Sequence, residues 1–122
     1  METTKTYDLK QRTYEYALQV IRFLESLPGD YAARTIGKQL LRSATSVGAN
    51  VVEARASSSK KDFANFYNHS LKSANESQFW LRLLRDSGKS SSSDVTPLLD
   101  ESRELSNILA SSILTMKGKR RL

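Results

Sequence analysis

The fold is decided by residues 30–56, which read DYAARTIGKQLLRSATSVGANVVEARA and have the periodicity of one long helix. Its apolar residues form two adjacent stripes: Ile36, Leu40, Ala44, Val47, Val51 and Ala54, beside Ala33, Gly37, Leu41, Gly48 and Val52. An apolar arc this wide is typical of a helix buried between neighbours. Because a glycine inside a helix costs about 1 kcal/mol relative to alanine, Gly37 and Gly48 indicate close approach by another helix on that side.

Three other stretches of the chain have the same period, and strong breaks separate the four. The breaks are Pro28-Gly29, the serines at 57–59, and Gly88, in a C-cap position, followed by KSSSSD. We predict helices over residues of about 8–27, 30–56, 59–87 and 94–117.

The first and third helices have predicted N-caps at Asp8 and Ser59, and Asp62 completes a capping-box pattern with Ser59. The fourth helix is predicted to begin near Asp94 or Thr96, with Pro97 in its first turn. The inward-facing stripes predicted for these three helices are Leu9, Thr13, Tyr16, Ala17, Val20, Leu24 and Leu27; Phe63, Phe66, Ser70, Ala74, Ser77, Leu81 and Leu84; and Leu98, Ser102, Leu105, Leu109, Ser112 and Met116.

The length and the short connections together predict one domain. A chain of 122 residues can bury one continuous core. Connections of about 2–8 residues between such helices favour antiparallel neighbours. The sequence therefore predicts a single all-α domain over residues 1–122, an antiparallel up-down-up-down four-helix bundle. Two separate helical hairpins are the competing arrangement, but each would keep an unburied apolar face.

The composition favours a soluble cytoplasmic protein. The chain has no cysteine, which removes disulfides and thiolate metal sites. No apolar run approaches the roughly 20 residues needed to span a bilayer, and the start METTKTYDLK has no apolar signal region. We therefore expect no contact with a membrane.

The net charge of +6 is concentrated in two places. The first is a basic C-terminal tail over residues 117–122, and without its four charges the chain has 15 basic residues against 13 acidic ones. The second is a basic ridge on the second helix, formed by Arg34, Lys38 and Arg42 at intervals of four residues and about 12 Å long. The residues predicted from these two places to bind nucleic acid are Arg34, Lys38, Arg42, Lys117, Lys119, Arg120 and Arg121. A solvated helix face and a solubilising terminus are the alternatives.

A polar stripe follows the apolar arc of the second helix. It consists of Ser43, Ser46, Asn50 and Glu53, at steps of three and four residues, and Glu76 on the third helix is a candidate to share it. Small hydroxyls and an amide next to a core indicate hydrogen bonds to another helix. This structural interpretation stands ahead of a ligand-binding or partner-binding one.

No enzyme site is predicted. The one histidine, His69, has Phe66 three positions before it, so the Glu-x-x-His pattern of di-iron bundles is absent. No serine has a histidine and carboxylate arrangement, and no pair of glycines has the spacing of a phosphate-binding loop. We therefore predict no catalytic residue, no metal and no cofactor. Phe79, Trp80 and Leu83 instead form an apolar cluster partly outside the core stripe, which predicts self-association.

Two segments separated by three residues, QLLRSATSVGANVVE from residue 39 and SSSKKDFANFYNHSLKSANES from residue 57, resemble a known signature. It is that of the small four-helix-bundle proteins encoded by intervening sequences in bacterial 23S ribosomal RNA genes. The most specific agreement is at Gln39, Leu40, Arg42, Ala44, Ser46, Asn50 and Glu53, with weaker agreement at Phe63, Ser73 and Glu76. The family usually has glycine after the glutamate, where this chain has Ala54.

The resemblance implies a cyclic homopentamer. It also implies kinship with the accessory variability determinant proteins of diversity-generating retroelements, which bind nucleic acid and a reverse transcriptase. The preferred hypothesis is a non-enzymatic, self-associating bundle that binds RNA or a nucleic-acid-processing protein through its basic surface. The alternative is a structural or adaptor assembly that binds a protein partner or a small anionic ligand and has no nucleic-acid role.

Overall fold

Four α-helices make up the computed structural model, which describes residues 8–118, and that range contains no strand. They are α1 (Leu9–Leu24), α2 (Tyr31–Ala56), α3 (Lys60–Asp86) and α4 (Ser92–Met116). Each helix packs against the next along the chain, and α4 returns to contact α1. The predicted all-α, antiparallel up-down-up-down bundle is therefore confirmed.

Side-chain caps set the starts of three helices. The side chains of Asp30, Ser59 and Ser91 accept hydrogen bonds from backbone N–H groups three residues on, at 2.8, 3.0 and 3.2 Å. The prediction that α4 begins at Asp94 or Thr96 was wrong, because Ser91 caps the helix earlier and leaves Pro97 at its sixth position. Asp8 precedes α1 but makes no side-chain cap; its carbonyl oxygen accepts from the next turn of the helix.

The helix ends follow proline and glycine. α1 ends at Leu24, three residues before the predicted end, and the chain continues to Leu27 in tighter turns whose N–H groups bond three residues back. Pro28 disfavours helical backbone in the residue before it. α3 ends at Asp86, Gly88 follows two residues later with a φ of +79°, and Lys89 N–H donates to the Leu84 carbonyl at 3.0 Å. This is the predicted glycine cap, in a Schellman motif.

The core agrees with most of the predicted stripes, with differences at their edges. Leu41 and Val52 of α2 are exposed rather than buried, because α1 covers only the part of that stripe nearest the two glycines. On α3 the buried aromatic residue is Tyr67, and Phe63 and Phe66 are half-buried. On α4 the buried set follows alternating steps of three and four residues, which adds Val95, Leu99, Ser106 and Ile113 and leaves Ser112 and Met116 half-buried.

The two glycines of α2 face α1 at close range. A β-carbon at Gly48 would lie 3.1 Å from Thr13 Oγ1, and one at Gly37 would lie 3.2 Å from Leu24 Cδ2. Both distances are shorter than ordinary van der Waals contact. The close approach predicted from the glycines is therefore confirmed, and it is made by α1.

Candidate functional site

The polar stripe of α2 divides along its length. Ser43 is fully buried, and its Oγ lies 3.0 Å from Ser77 Oγ on α3. Ser46 and Asn50 are half-buried, and Asn50 Nδ2 donates to the Ser46 carbonyl at 2.9 Å within the helix. Glu53 is exposed. Of the four, Ser43 is the one with a hydrogen bond to another helix among the described residues.

A larger set of buried hydroxyls joins α3 to both of its neighbours. Ser70 Oγ donates to the Val47 carbonyl of α2 at 2.7 Å, and Ser102 Oγ donates to the Ala74 carbonyl of α3 at 2.9 Å. Sequence reasoning missed Ser106, whose Oγ accepts from Gln78 and donates to Asn75. The signal that could have found it is its spacing of four residues from Ser102. These bonds satisfy polar groups that burial would otherwise penalise.

Glu76 meets the basic ridge. Its carboxylate forms an ion pair with Arg42 and accepts from Trp80 Nε1 at 2.9 Å. Arg42 also donates to Gln39 Oε1, at 3.0 and 3.2 Å. Arg42, Gln39, Glu76 and Trp80 therefore form one network across the outer surface of α2 and α3.

The remaining ridge residues, Arg34 and Lys38, are exposed and form no ion pair within residues 8–118. They line a cavity of about 390 Å³ beside the α1–α2 turn. Nearby, Lys89 Nζ donates to Asp30 Oδ2 at 2.8 Å, and that hydrogen bond, together with the Ala33 N–H, lowers the pKa of Asp30.

Lys117, the described basic residue of the tail, lies at the other end of the bundle from Arg34. Lys117 directly follows α4 and is exposed; Lys119, Arg120 and Arg121 are outside the described residues. In an antiparallel bundle the end of α4 lies beside the end of α2, and Arg34 is 21 residues before Arg55 on α2. At 1.5 Å per residue this separation is about 32 Å. The ridge and Lys117 thus belong to two surfaces rather than one.

An apolar groove of about 720 Å³ runs along the outside of α1 and α2. Tyr14, Ile21 and Val52 line it, and these side chains are between 40% and 61% exposed. A second apolar surface lies on α3, where Phe79 and Leu83 are exposed and the Phe79 ring packs edge-on against Trp80 at 4.9 Å. The bundle therefore presents two separate apolar surfaces to solvent.

Two polar features of α1 were absent from the sequence predictions. Arg12 forms ion pairs with Glu101 and Glu104 of α4 at 2.7 and 2.8 Å, and the hydrogen bond that Arg12 donates to Glu101 raises the pKa of Arg12. The hydroxyl of Tyr16 is fully buried and has no hydrogen-bond partner among residues 8–118. Burial raises the pKa of Tyr16, and the nearby hydroxyls of Ser102 and Ser77 oppose that rise in part.

The described residues do not gather a metal-ligand set. Between residues 8 and 118, no three histidine, aspartate or glutamate side chains converge on one point, and His69 is exposed on α3. Within the same range, none of the helices combines the length and the apolar character needed to cross a membrane.

Comparison with known proteins connects this architecture to a family. The family model of the 23S rRNA-intervening sequence protein matches residues 5–111. A solved structure of an unknown-function protein from the S23 ribosomal protein family of Bacteroides thetaiotaomicron is similar, with a TM-score of 0.82 and 33% sequence identity. The match covers 89% of this chain and 97% of that one. No curated protein matches the chain. The chain belongs to the 23S rRNA-intervening sequence protein family.

Proposed function

We propose that this chain is a non-enzymatic subunit of a cytoplasmic homo-oligomer that binds RNA through its basic surface. The observation that carries the proposal is the apolar groove of α1 and α2, because large exposed apolar side chains gathered in one place are typical of protein interfaces. The second apolar surface, around Phe79 and Leu83, is on a different helix. Two unlike surfaces on one subunit support head-to-tail contacts, which form a ring when the rotation between successive subunits closes.

The RNA part of the proposal rests on charge and on family membership. The net charge is +6, and Arg34 and Lys38 are exposed without an ion pair to another described residue. Free cations on a protein surface bind phosphate backbones by releasing counterions. The family is described by its relation to 23S rRNA, which makes RNA the partner to test first. A pentamer, implied by the resemblance to the family, is the ring size that we propose.

Two measurements on one preparation test the proposal. Light scattering after size-exclusion chromatography gives the oligomer mass, and fluorescence anisotropy with a labelled structured RNA at 50 and 200 mM salt gives the affinity. We expect an oligomer with salt-sensitive binding, weakened by deletion of residues 117–122. A monomer, or an absence of binding at 50 mM salt, contradicts the proposal. A protein partner that stays bound after nuclease treatment, without RNA binding, would favour the adaptor alternative.

A further inference from the structure

The topology gathers exposed cations at one end of the bundle. The start of α1, the end of α2, the start of α3 and the end of α4 all lie there, because the helices alternate in direction. We name this surface the basic end and define it by Lys10, Arg55, Lys60, Lys61 and Lys117, all of which are exposed. The carboxylates at this end are Asp8, Glu53 and Asp62.

The cations of the basic end are free of ion pairs within residues 8–118. The ion pairs in that range involve other cations: Arg12 with two glutamates of α4, Arg42 with Glu76, and Lys89 with Asp30. Two more ion pairs each join residues of the same helix: Arg85 with Asp86 on α3, and Arg103 with Asp100 on α4. The basic end therefore combines exposed positive charge with no protein acceptor in the described chain.

Lys60 and Lys61 lie where the local electrostatics of their helix disfavour positive charge. They are the first two residues of α3, where the aligned peptide dipoles carry partial positive charge and favour acidic side chains. Asp62, the next residue, follows this preference, and its N–H bonds to the Ser59 cap. The two lysines oppose it, so helix stability does not account for them. A local rule broken without a structural gain is typical of a functional site.

Lys117 directly follows α4 and places its charge at this end of the bundle. Arg34 and Lys38, by contrast, lie about 25–32 Å away along α2.

Aromatic side chains adjoin the lysines. Phe63 is one turn after Lys60, is half-buried, and packs on Tyr67 with ring centres 4.7 Å apart. Burial raises the pKa of Tyr67, and the positive charge of Arg55, at the end of α2, opposes part of that rise. Tyr67 is buried, so Phe63 is the ring of this pair that has an exposed part on which a base can stack. Such a ring beside cations is typical of surfaces that bind single-stranded nucleic acid.

We propose that the basic end binds the phosphate backbone of single-stranded RNA, with Lys60 and Lys61 as the principal described contacts. This inference rests on the proposed function and adds to its basic surface a second contact, at the opposite end of the bundle from Arg34 and Lys38. In an oligomer each subunit supplies one such end, so several copies bind one strand and their affinities reinforce one another.

Charge reversal tests the assignment without confusion from unfolding. The variant Lys60→Glu/Lys61→Glu replaces cations by anions at a helix N-terminus, so its melting temperature should equal or exceed that of the natural chain. The matched control, Arg22→Glu/Arg82→Glu, makes the same change of net charge at two exposed positions near the other end of the bundle, at the ends of α1 and α3. Anisotropy with labelled single-stranded RNA, from 50 to 200 mM salt, gives the affinity and its salt dependence.

We expect the Lys60→Glu/Lys61→Glu variant to bind RNA at least tenfold more weakly at 50 mM salt, with the slope of log affinity against log salt smaller by about 1.4 for two lost contacts. The control should lose less than threefold. Unchanged binding by the first variant, or an equal loss by both, overturns the inference while the proposed function stands. A natural chain that binds no RNA overturns both. Inorganic polyphosphate and duplex RNA are the comparison ligands, and tighter binding of either one contradicts the assignment to single strands.

Discussion

Arg42 of α2 is held by Glu76 of α3 in an ion pair, and Trp80 donates its indole N–H to the same carboxylate. Gln39 accepts two further hydrogen bonds from the guanidinium. A phosphate would have to displace protein acceptors in order to bind Arg42, whereas Lys60 and Lys61 have no ion pair within the described chain. The network thus distinguishes a cation that connects helices from cations that are free for a partner.

Replacement of Arg42 by alanine should therefore affect stability more than RNA affinity. Both partners are partly exposed, and such pairs contribute up to about 1 kcal/mol to the free energy of unfolding. Urea denaturation followed by the fluorescence of Trp80, the chain's one tryptophan, measures this loss. A tenfold fall in RNA affinity with unchanged stability would show that Arg42 binds the nucleic acid directly.

The two glycines of α2 should respond differently to alanine. At Gly37 the new β-carbon meets a terminal methyl of Leu24, which can move, so Gly37→Ala should gain up to about 1 kcal/mol of helix propensity. At Gly48 it meets Thr13, a β-branched residue whose hydroxyl bonds to the Lys10 carbonyl. Gly48→Ala should therefore gain less or destabilise the protein. Equal increases in melting temperature for the two variants would contradict the close contact at Thr13.

Tyr16→Phe should preserve or increase stability, by up to about 1 kcal/mol, because it removes a buried hydroxyl that has no partner among residues 8–118. Ser102→Ala is the matched control. Its hydroxyl donates to the Ala74 carbonyl and accepts from Gln78, so its removal should cost about 1–3 kcal/mol. Chemical denaturation of both variants gives the comparison, and a clear loss in Tyr16→Phe would mean that its hydroxyl has a partner.

The buried tyrosine also predicts how stability changes at alkaline pH. The pKa of Tyr16 is raised in the folded protein, chiefly by burial, so the unfolded chain loses its phenolic proton first as the pH rises. Stability attributable to Tyr16 is complete below the ordinary tyrosine pKa of about 10 and falls above it. Tyr16→Phe should therefore reduce the loss of melting temperature between pH 9 and 11. If the variant and the natural chain lose the same amount of melting temperature, the loss belongs to other groups, such as Tyr67, whose pKa is also raised by burial.

The periodicity of the sequence is enough to predict the four helices and their buried faces. The partners of the polar side chains depend on how the helices pack, which the periodicity does not specify. The stripe through Leu40, Val47 and Val51 is buried as predicted, because burial of one apolar face determines how a helix is oriented. The partner of Glu76 was not predictable, since Arg42 is 34 positions away and their contact depends on how α2 and α3 are aligned. The basic end was missed although the predicted up-down-up-down order already brings Lys60, Lys61 and Lys117 to one end, because the cations were grouped along one helix and along the tail rather than by the end of the bundle.

Self-association should depend on the apolar groove. Ile21→Glu places a charge among the exposed apolar side chains of α1 and α2 and should lower the oligomer mass. Tyr31→Glu is the control, because Tyr31 is the most exposed of the large apolar residues and does not line that groove. Sedimentation velocity of the two variants decides the matter. An unchanged mass for Ile21→Glu would exclude the groove as the interface.

The claim that the protein is an oligomer that binds RNA is tested most directly by one measurement on the natural protein at micromolar concentration. Light scattering gives its mass, and the ratio of absorbance at 260 and 280 nm, recorded on the same sample, shows whether nucleic acid is bound. The account predicts a mass several times that of one chain, and an absorbance ratio raised by RNA that copurifies at low salt and is lost at high salt. A monomer free of nucleic acid under both conditions would contradict it.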